Sequence, residues 1–257
     1  MQANKLKLTT LSMAAAMLIV AGQSALAHTR LNVPTLTEGT RVLNHMVIGD
    51  NCAADAGDGR RVIGTSVVFP DGRDSTVLVD GQPHEGELTD FLTNFGNNFQ
   101  LVFDRSAFDY MDEKTDPLGN VTGFWAGGGP GVPGNLNAFT PVRTTAARIE
   151  PTSCAKSVRL TIQVADICNI TRIDNLGTDA DFNVKLWTHN ALGTPFDRQG
   201  SETDNGPASL MITRDLENNP LPEGCGEGVA VEVRPSAAQT NRDMPIRFEG
   251  QQIWPQP

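Results

Sequence analysis

The sequence has few charged residues, and most of them are acidic. Charged side chains make up 19% of the 257 residues, with 20 Lys and Arg against 30 Asp and Glu. Nucleic-acid binding depends on Lys and Arg that neutralise phosphates, so this composition argues against a nucleic-acid partner. A hydrophobic share of 39% is too large for a disordered chain, and 25 Gly and 16 Pro are too many for a helical bundle. The composition predicts a globular protein with many loops.

Long apolar runs are also missing, since no stretch reaches the ~20 residues of a membrane helix. The most apolar stretch, residues 13–21, follows two lysines and leads through small residues to Ala27. These are the features of a secretory signal peptide. We predict a signal peptide over residues 1–27 and one mature domain over residues 28–257, exported to the periplasm or the outer cell surface. Cleavage would make His28 the N-terminal residue.

Cysteine is scarce but even in number, with Cys52, Cys154, Cys168 and Cys225. No pair has the C-x-x-C spacing of a zinc or redox site, and an exported chain with four cysteines favours two disulfides. Residues 158–164 alternate apolar and polar side chains as an extended strand does, which holds Cys154 and Cys168 apart. Cys52 and Cys225 are therefore expected to take one partner each, and two connectivities stay open.

Helical periodicity is rare, whereas short apolar runs of strand length recur between turn signals. The runs cover residues 42–48, 62–69, 76–79, 99–103, 121–125, 157–167, 182–187, 209–213 and 229–233. They predict an all-β fold, a β-sandwich-like single domain with long loops and little helix. Residues 88–95 and 135–139 could each supply a helical turn. We expect a long loop at the glycine-rich residues 127–134 and a frayed end at residues 254–257.

Motifs of common catalytic sites are absent, including the Gly-x-Ser-x-Gly elbow, the phosphate-binding glycine loop and the EF-hand spacing. The four histidines are then the most informative residues. An N-terminal His28 would offer its α-amine and a ring nitrogen, and this pair suits copper. The alternative is that His28 is an incidental product of cleavage.

A second candidate site is the tripeptide Trp187-Thr188-His189. Phe182, Val184 and Leu186 form the apolar face of the predicted strand, so alternation places Trp187 and His189 together on the other face. A ring and an imidazole side by side predict part of a copper site. A surface pair without metal is an equal alternative.

The other two histidines are weaker candidates. His45 lies in a run that is apolar on both faces, so we expect it to be partly buried as a hydrogen-bonded core residue or, with Met46, as a Cu(I) ligand. His84 lies in a turn, is expected to be exposed, and ranks last.

The exported, acidic, all-β chain with its Trp-x-His element resembles the MopE/CorA group of surface-associated copper-binding proteins of methane-oxidising bacteria. In that group Cu(I) is held by two histidines and a kynurenine made by oxidising a tryptophan. The resemblance implies that Trp187 or its oxidised product and His189 hold copper. It leaves His45, His28 and His84 as candidates for the second histidine.

Residues 28–52 are similar to the start of the YcnI-like periplasmic copper proteins. These are β-sandwiches whose mature N-terminal histidine binds copper together with a carboxylate and a nearby tryptophan. Asn51 stands where that family has a glycine before the cysteine, and this chain is longer. The likeness implies a copper role for His28.

These observations predict an exported protein that captures or buffers copper, as Cu(I), without turnover. The predicted metal residues are His189, Trp187, His45 and His28, and the predicted partner is the copper ion, with no nucleic acid and no membrane span. One alternative is a copper monooxygenase that attacks polysaccharide through a histidine brace at His28. The other is a surface structural protein without metal.

Overall fold

The computed structural model describes residues 29–49, 52, 60–134, 136–176, 183–199 and 206–257. The described residues form sixteen strands, one α-helix and two short 3-10 helices. The strands are β1 Arg30–Leu31, β2 Thr35–Thr37, β3 Arg41–Ile48, β4 Arg61–Val68, β5 Ser75–Val79, β6 Gln82–Pro83, β7 Phe99–Leu101, β8 Tyr110–Thr115, β9 Val121–Pro133, β10 Ala138–Thr145, β11 Ala155–Ile167, β12 Val184–Trp187, β13 Ala208–Thr213, β14 Val229–Pro235, β15 Ile246–Phe248 and β16 Gln251–Trp254. Helix α1 is Ala237–Asp243, and the 3-10 helices are Leu88–Asp90 and Ile173–Asn175.

The strands build two packed sheets and a hairpin, which confirms the all-β prediction. The smaller sheet has the order β1-β3-β10-β7, and the larger one runs β6-β5-β14-β11-β4-β9-β8. Strands β12 and β13 also pair with β11, β2 pairs with β13, and β15 and β16 form the hairpin. No helix in the described part of the chain is long and apolar enough to cross a membrane.

Strand β11 is the centre of the molecule because its 13 residues pair with four other strands. Its first half lies between β13 and β14, and its second half lies between β12 and β4. Even-numbered residues such as Leu160 and Val164 pack with Met46 of the smaller sheet in the main core. Odd-numbered Ala165 packs on the other face with Trp254 of the hairpin. Both faces of the larger sheet are therefore covered.

Two disulfides fasten the ends of β11. Cys168 directly follows the strand and is bonded to Cys52, with a Cα–Cα distance of 5.5 Å. Cys154 directly precedes it and is bonded to Cys225, with a Cα–Cα distance of 5.2 Å. The expectation that Cys154 and Cys168 do not pair is confirmed. Two such bonds place the chain in an oxidising compartment outside the cytoplasm.

The glycine-rich residues 127–134 are not a separate loop, because β9 continues through them to Pro133. Residues 128–131 stand opposite the single residue Ile63 of β4 and form a bulge. Gly128 and Gly131 have φ angles of 81° and 71°, a backbone region that glycine enters without strain. The loop prediction was wrong because glycine marks both loops and bulged strands.

The chain end is also more ordered than predicted. Strand β16 includes Trp254, which is fully buried and packs against Phe196 with 6.0 Å between ring centroids. Residue 138 begins strand β10 rather than ending a helical turn, whereas the expected turn after residue 88 is present as a 3-10 helix.

Candidate functional site

The most distinctive polar group in the core is the carboxylate of Asp166, which is fully buried near the end of β11. Its Oδ1 accepts a hydrogen bond of 2.8 Å from the Thr65 hydroxyl. Its Oδ2 accepts one of 2.5 Å from the Thr29 hydroxyl and one of 3.0 Å from Nε1 of Trp187. Buried carboxylates require such donors, since an unsolvated charge is costly.

Strand register explains how these residues meet. Asp166 is the direct partner of Thr65 on β4, and Trp187 of β12 is the direct partner of Val164. Directly paired residues share a face of the sheet, so all four side chains point toward the smaller sheet. Thr29 directly precedes β1, a strand of the smaller sheet, and its hydroxyl bonds to the same carboxylate. The Asp166 cluster therefore joins the two sheets.

The cluster also anchors the start of the predicted mature chain. Thr29 is fully buried, and the strand that follows it pairs with β3 from Arg30 onward. His28, the predicted N-terminal residue, lies outside the described residues. It is covalently attached to Thr29, the residue that is hydrogen-bonded to Asp166.

The structure separates Trp187 from His189. Both side chains are almost completely buried, at 5% and 2% exposed, so the prediction that they share a polar, exposed face is wrong. Nε2 of His189 lies 3.2 Å from the Thr161 hydroxyl. Thr161 and Asp166 are an odd number of positions apart on β11, so they point to opposite faces of the sheet. Strand β12 ends at Trp187, and the alternation therefore does not continue to His189.

His45 is half-buried, as predicted, but it does not share a face with Met46. Met46 is fully buried in the main core, whereas His45 points outward and makes an edge contact with Phe139 at 5.5 Å. The two side chains cannot ligate one ion. His45 instead lines a groove of about 720 Å³ together with Asp104. Hydrogen bonds from Ser106 are the main cause that lowers the pKa of Asp104, and His45 adds to it.

His84 follows strand β6 at the edge of the larger sheet. Its Nε2 lies 2.8 Å from Oδ2 of Asp90, and its ring packs against Phe91 with 4.8 Å between centroids. The side chain is 28% exposed, so it is more covered than the expected open turn. His84 and Asp90 therefore form a hydrogen-bonded pair near the surface, and no bond found between described residues joins this pair to the Asp166 cluster.

Within the described ranges, no group of three or more His, Cys, Asp or Glu side chains is arranged to hold a metal ion. Asp166 supplies one hard oxygen ligand, so a metal there needs further donors. Sequence reasoning missed Asp166, although a lone carboxylate in the apolar run 164–167 is a usable signal. Comparison with known proteins gives no match, either to a family model or to the sequence of a characterised protein.

Proposed function

We propose that the protein is an exported copper-binding protein and that its mature N-terminus and Asp166 together form the copper site. The observation that supports this is the hydrogen bond between Thr29 and Asp166. It holds the residue next to His28 on a buried carboxylate beside the Trp187 indole. Cleavage after Ala27 would free the α-amine of His28. Amine, imidazole and carboxylate are a donor set that suits Cu(II).

This site differs from the one expected from the Trp-x-His element. It keeps Trp187 beside the metal but leaves out His189, because His189 bonds Thr161 on the opposite face of β11. It also leaves out His45, which points away from the main core. The site binds rather than turns over, since a brace for oxygen chemistry needs a second histidine. Among the described residues, His45 contacts Phe139, His84 bonds to Asp90 and His189 bonds to Thr161.

The decisive experiment changes only the N-terminus. The mature protein and a version acetylated at the α-amine of His28 are titrated with Cu(II) against a competing chelator. Acetylation keeps every side chain but turns the α-amine into an amide without a free amine, which removes one donor of the chelate. We expect the acetylated protein to bind about 100-fold more weakly, which corresponds to roughly 3 kcal/mol. Asp166→Asn should shift the affinity in the same direction, and His84→Gln serves as the control.

Each other outcome points to one alternative. Unchanged affinity of the acetylated protein rejects the N-terminal site, and a loss confined to His189→Asn restores the Trp-x-His site. Intact mass shows whether Trp187 has become kynurenine, as the MopE-like version requires. A protein that retains no copper at micromolar concentration rejects the copper proposal and favours the structural alternative, and release of oxidised sugars with copper and a reductant identifies a monooxygenase.

A further inference from the structure

The strands of the smaller sheet are basic, although the chain as a whole is acidic. These four strands, β1, β3, β7 and β10, contain three arginines and one histidine but neither Asp nor Glu. The whole chain has a formal net charge of −10. Basic side chains gathered on one surface of an acidic protein attract an anionic partner to that surface.

Strand register places two of the arginines next to each other on the outward face of this sheet. Met46 packs in the main core, so Leu43 and Arg41, at odd positions of β3, point outward. Leu43 is the direct partner of Arg143 on β10, and Arg41 is the direct partner of Thr145. Since two positions along a strand span about 7 Å, the two arginines are diagonal neighbours with backbones about 8 Å apart.

The two guanidinium groups are open to an external anion. Arg41 is exposed and Arg143 is half-buried. Within the described part of the chain, neither side chain forms an ion pair or a hydrogen bond. A guanidinium fork matches a carboxylate with two parallel hydrogen bonds, so an acidic ligand gains both charge and geometry here.

Apolar side chains continue this face beyond the arginines. Leu43 is 62% exposed and Phe139 is 49% exposed. The Phe139 ring makes an edge contact of 5.5 Å with His45, the next outward residue of β3 after Leu43. Phe139 and His45 both line the groove of about 720 Å³. The outward face therefore leads from two arginines across apolar surface into a groove.

The groove itself suits hydroxyl groups rather than a second anion. Its lining includes the side chains of Asn32, Asn137 and Ser106. Asp104 is the only acidic residue among the described lining residues, and its Oδ1 accepts a hydrogen bond of 2.7 Å from the Ser106 N–H. A carboxylate repels an anion but accepts hydrogen bonds from hydroxyls, as the amide oxygens also do.

We propose that this face binds an acidic saccharide chain, a polymer of sugar units that carry carboxylates. Arg41 and Arg143 bind the carboxylates, Phe139 packs against the C–H face of a sugar ring, and the groove takes the hydroxyls of the next unit. A nucleic acid fits less well, because its one charge per ~1.7 Å meets an acidic protein with only two open arginines here. A membrane fits less well, because two separate apolar side chains offer little area to insert.

The test compares an oligomer of galacturonic acid with its methyl ester by isothermal titration calorimetry on the mature protein. EDTA is present to exclude metal ions, so the result does not depend on the copper proposal. The two probes have the same sugars, and only the acid is charged. We expect the acid to bind about tenfold more tightly than the ester and to lose this advantage as the salt concentration rises.

Three variants locate the binding surface. The double variant Arg41→Gln, Arg143→Gln should lower the affinity for the acid to that for the ester. Phe139→Ala should weaken both probes. Arg159→Gln is the matched control, because it removes the same charge from an exposed position of β11 in the larger sheet, and it should leave both affinities unchanged. Substitutions at such surface positions change stability little, so the variants should fold.

Four outcomes overturn the proposal. Absence of binding by the acid rejects the face as a saccharide site, and equal affinity for acid and ester rejects recognition by the arginines. An equal loss in Arg159→Gln and in the double variant means that overall charge, and not this face, attracts the acid. Tighter binding of a DNA oligomer of equal charge or of anionic lipid vesicles would assign the face to a nucleic acid or a membrane instead.

Discussion

Two charged side chains, Asp166 and Lys114, lie on opposite faces of the larger sheet, and neighbouring residues of β4 form hydrogen bonds with them. Thr65 donates to Asp166 on the face toward the smaller sheet. Ser66 points to the other face, where its hydroxyl accepts a hydrogen bond of 2.5 Å from Nζ of Lys114. One strand therefore supplies a donor to a buried anion and an acceptor to a buried cation.

The difference between the faces is in how the charge is compensated. Lys114 also donates to the main-chain oxygen of Asp243 at 2.5 Å, but the Asp243 carboxylate is held by Arg242 at 2.7 Å. Burial lowers the pKa of Lys114 to about 7, and the Asp243 charge offsets this only in part. Asp166 instead accepts hydrogen bonds from three neutral donors, the Thr29 and Thr65 hydroxyls and the Trp187 indole. The proposed copper site would add a cation on the Asp166 face, whereas the Lys114 ammonium is held by hydroxyl and main-chain oxygens.

The largest effect is expected from removing the buried anion. Asp166→Ala leaves Thr29, Thr65 and Trp187 without their acceptor, so we expect the free energy of unfolding to fall by about 4 kcal/mol. Urea unfolding of the copper-free protein measures this. Asp112→Ala, at an exposed position of β8, is the matched control and should change stability by less than about 0.5 kcal/mol. Equal losses in the two variants would show that the cluster does not stabilise the joint between the sheets.

The second prediction is that stability depends on pH because of Lys114, on the other face of the sheet. The pKa of Lys114 is about 7 in the folded protein against an ordinary value of 10.5. Between these values the unfolded chain binds more protons, so stability rises with pH. The penalty for the buried ammonium is complete below about pH 7 and is relieved as the pH rises. We expect the native protein to gain roughly 3 kcal/mol relative to Lys114→Met between about pH 6 and about pH 9.

Urea unfolding across this pH range measures that gain. Lys156→Met, at an exposed lysine of β11, provides the control and should keep the slope of the native protein. A parallel slope for Lys114→Met would mean that the ammonium is solvated rather than buried.

The sequence predicts the strands that are rich in apolar residues. Strand β11 was expected at residues 157–167 and spans Ala155–Ile167, because apolar side chains recur along it, although residues 160–167 are buried on both faces. Strand β8 was missed, since Tyr110–Thr115 is polar and lies at the end of the sheet. Helix α1 was missed because its buried face is polar. There, Gln239 donates to the main-chain oxygen of Phe69 at 2.7 Å.

The candidate site was predictable only in part. Trp187 and His28 stand out in the sequence by type and position. The carboxylate of the proposed site, Asp166, does not stand out in this way. It is hydrogen-bonded to Thr29, the residue next to His28, although the two are 137 positions apart. Only the register between strands brings such residues together, and local patterns do not contain it. The burial of His189 depends likewise on where β12 ends.

The smallest effect is expected at His189, which lies on the face of the sheet opposite Asp166. His189→Asn removes a ring whose Nε2 lies 3.2 Å from the Thr161 hydroxyl, and we expect stability to fall by about 1 kcal/mol. Copper affinity should stay unchanged, because the ring lies on the opposite face from Asp166. Trp187→Phe supplies the contrast: it removes the N–H that Asp166 accepts and should weaken copper binding. Chelator competition and urea unfolding on both variants measure the two quantities. The opposite result, weaker copper binding in His189→Asn and full affinity in Trp187→Phe, would mean that the copper site lies on the face of the sheet that holds Lys114.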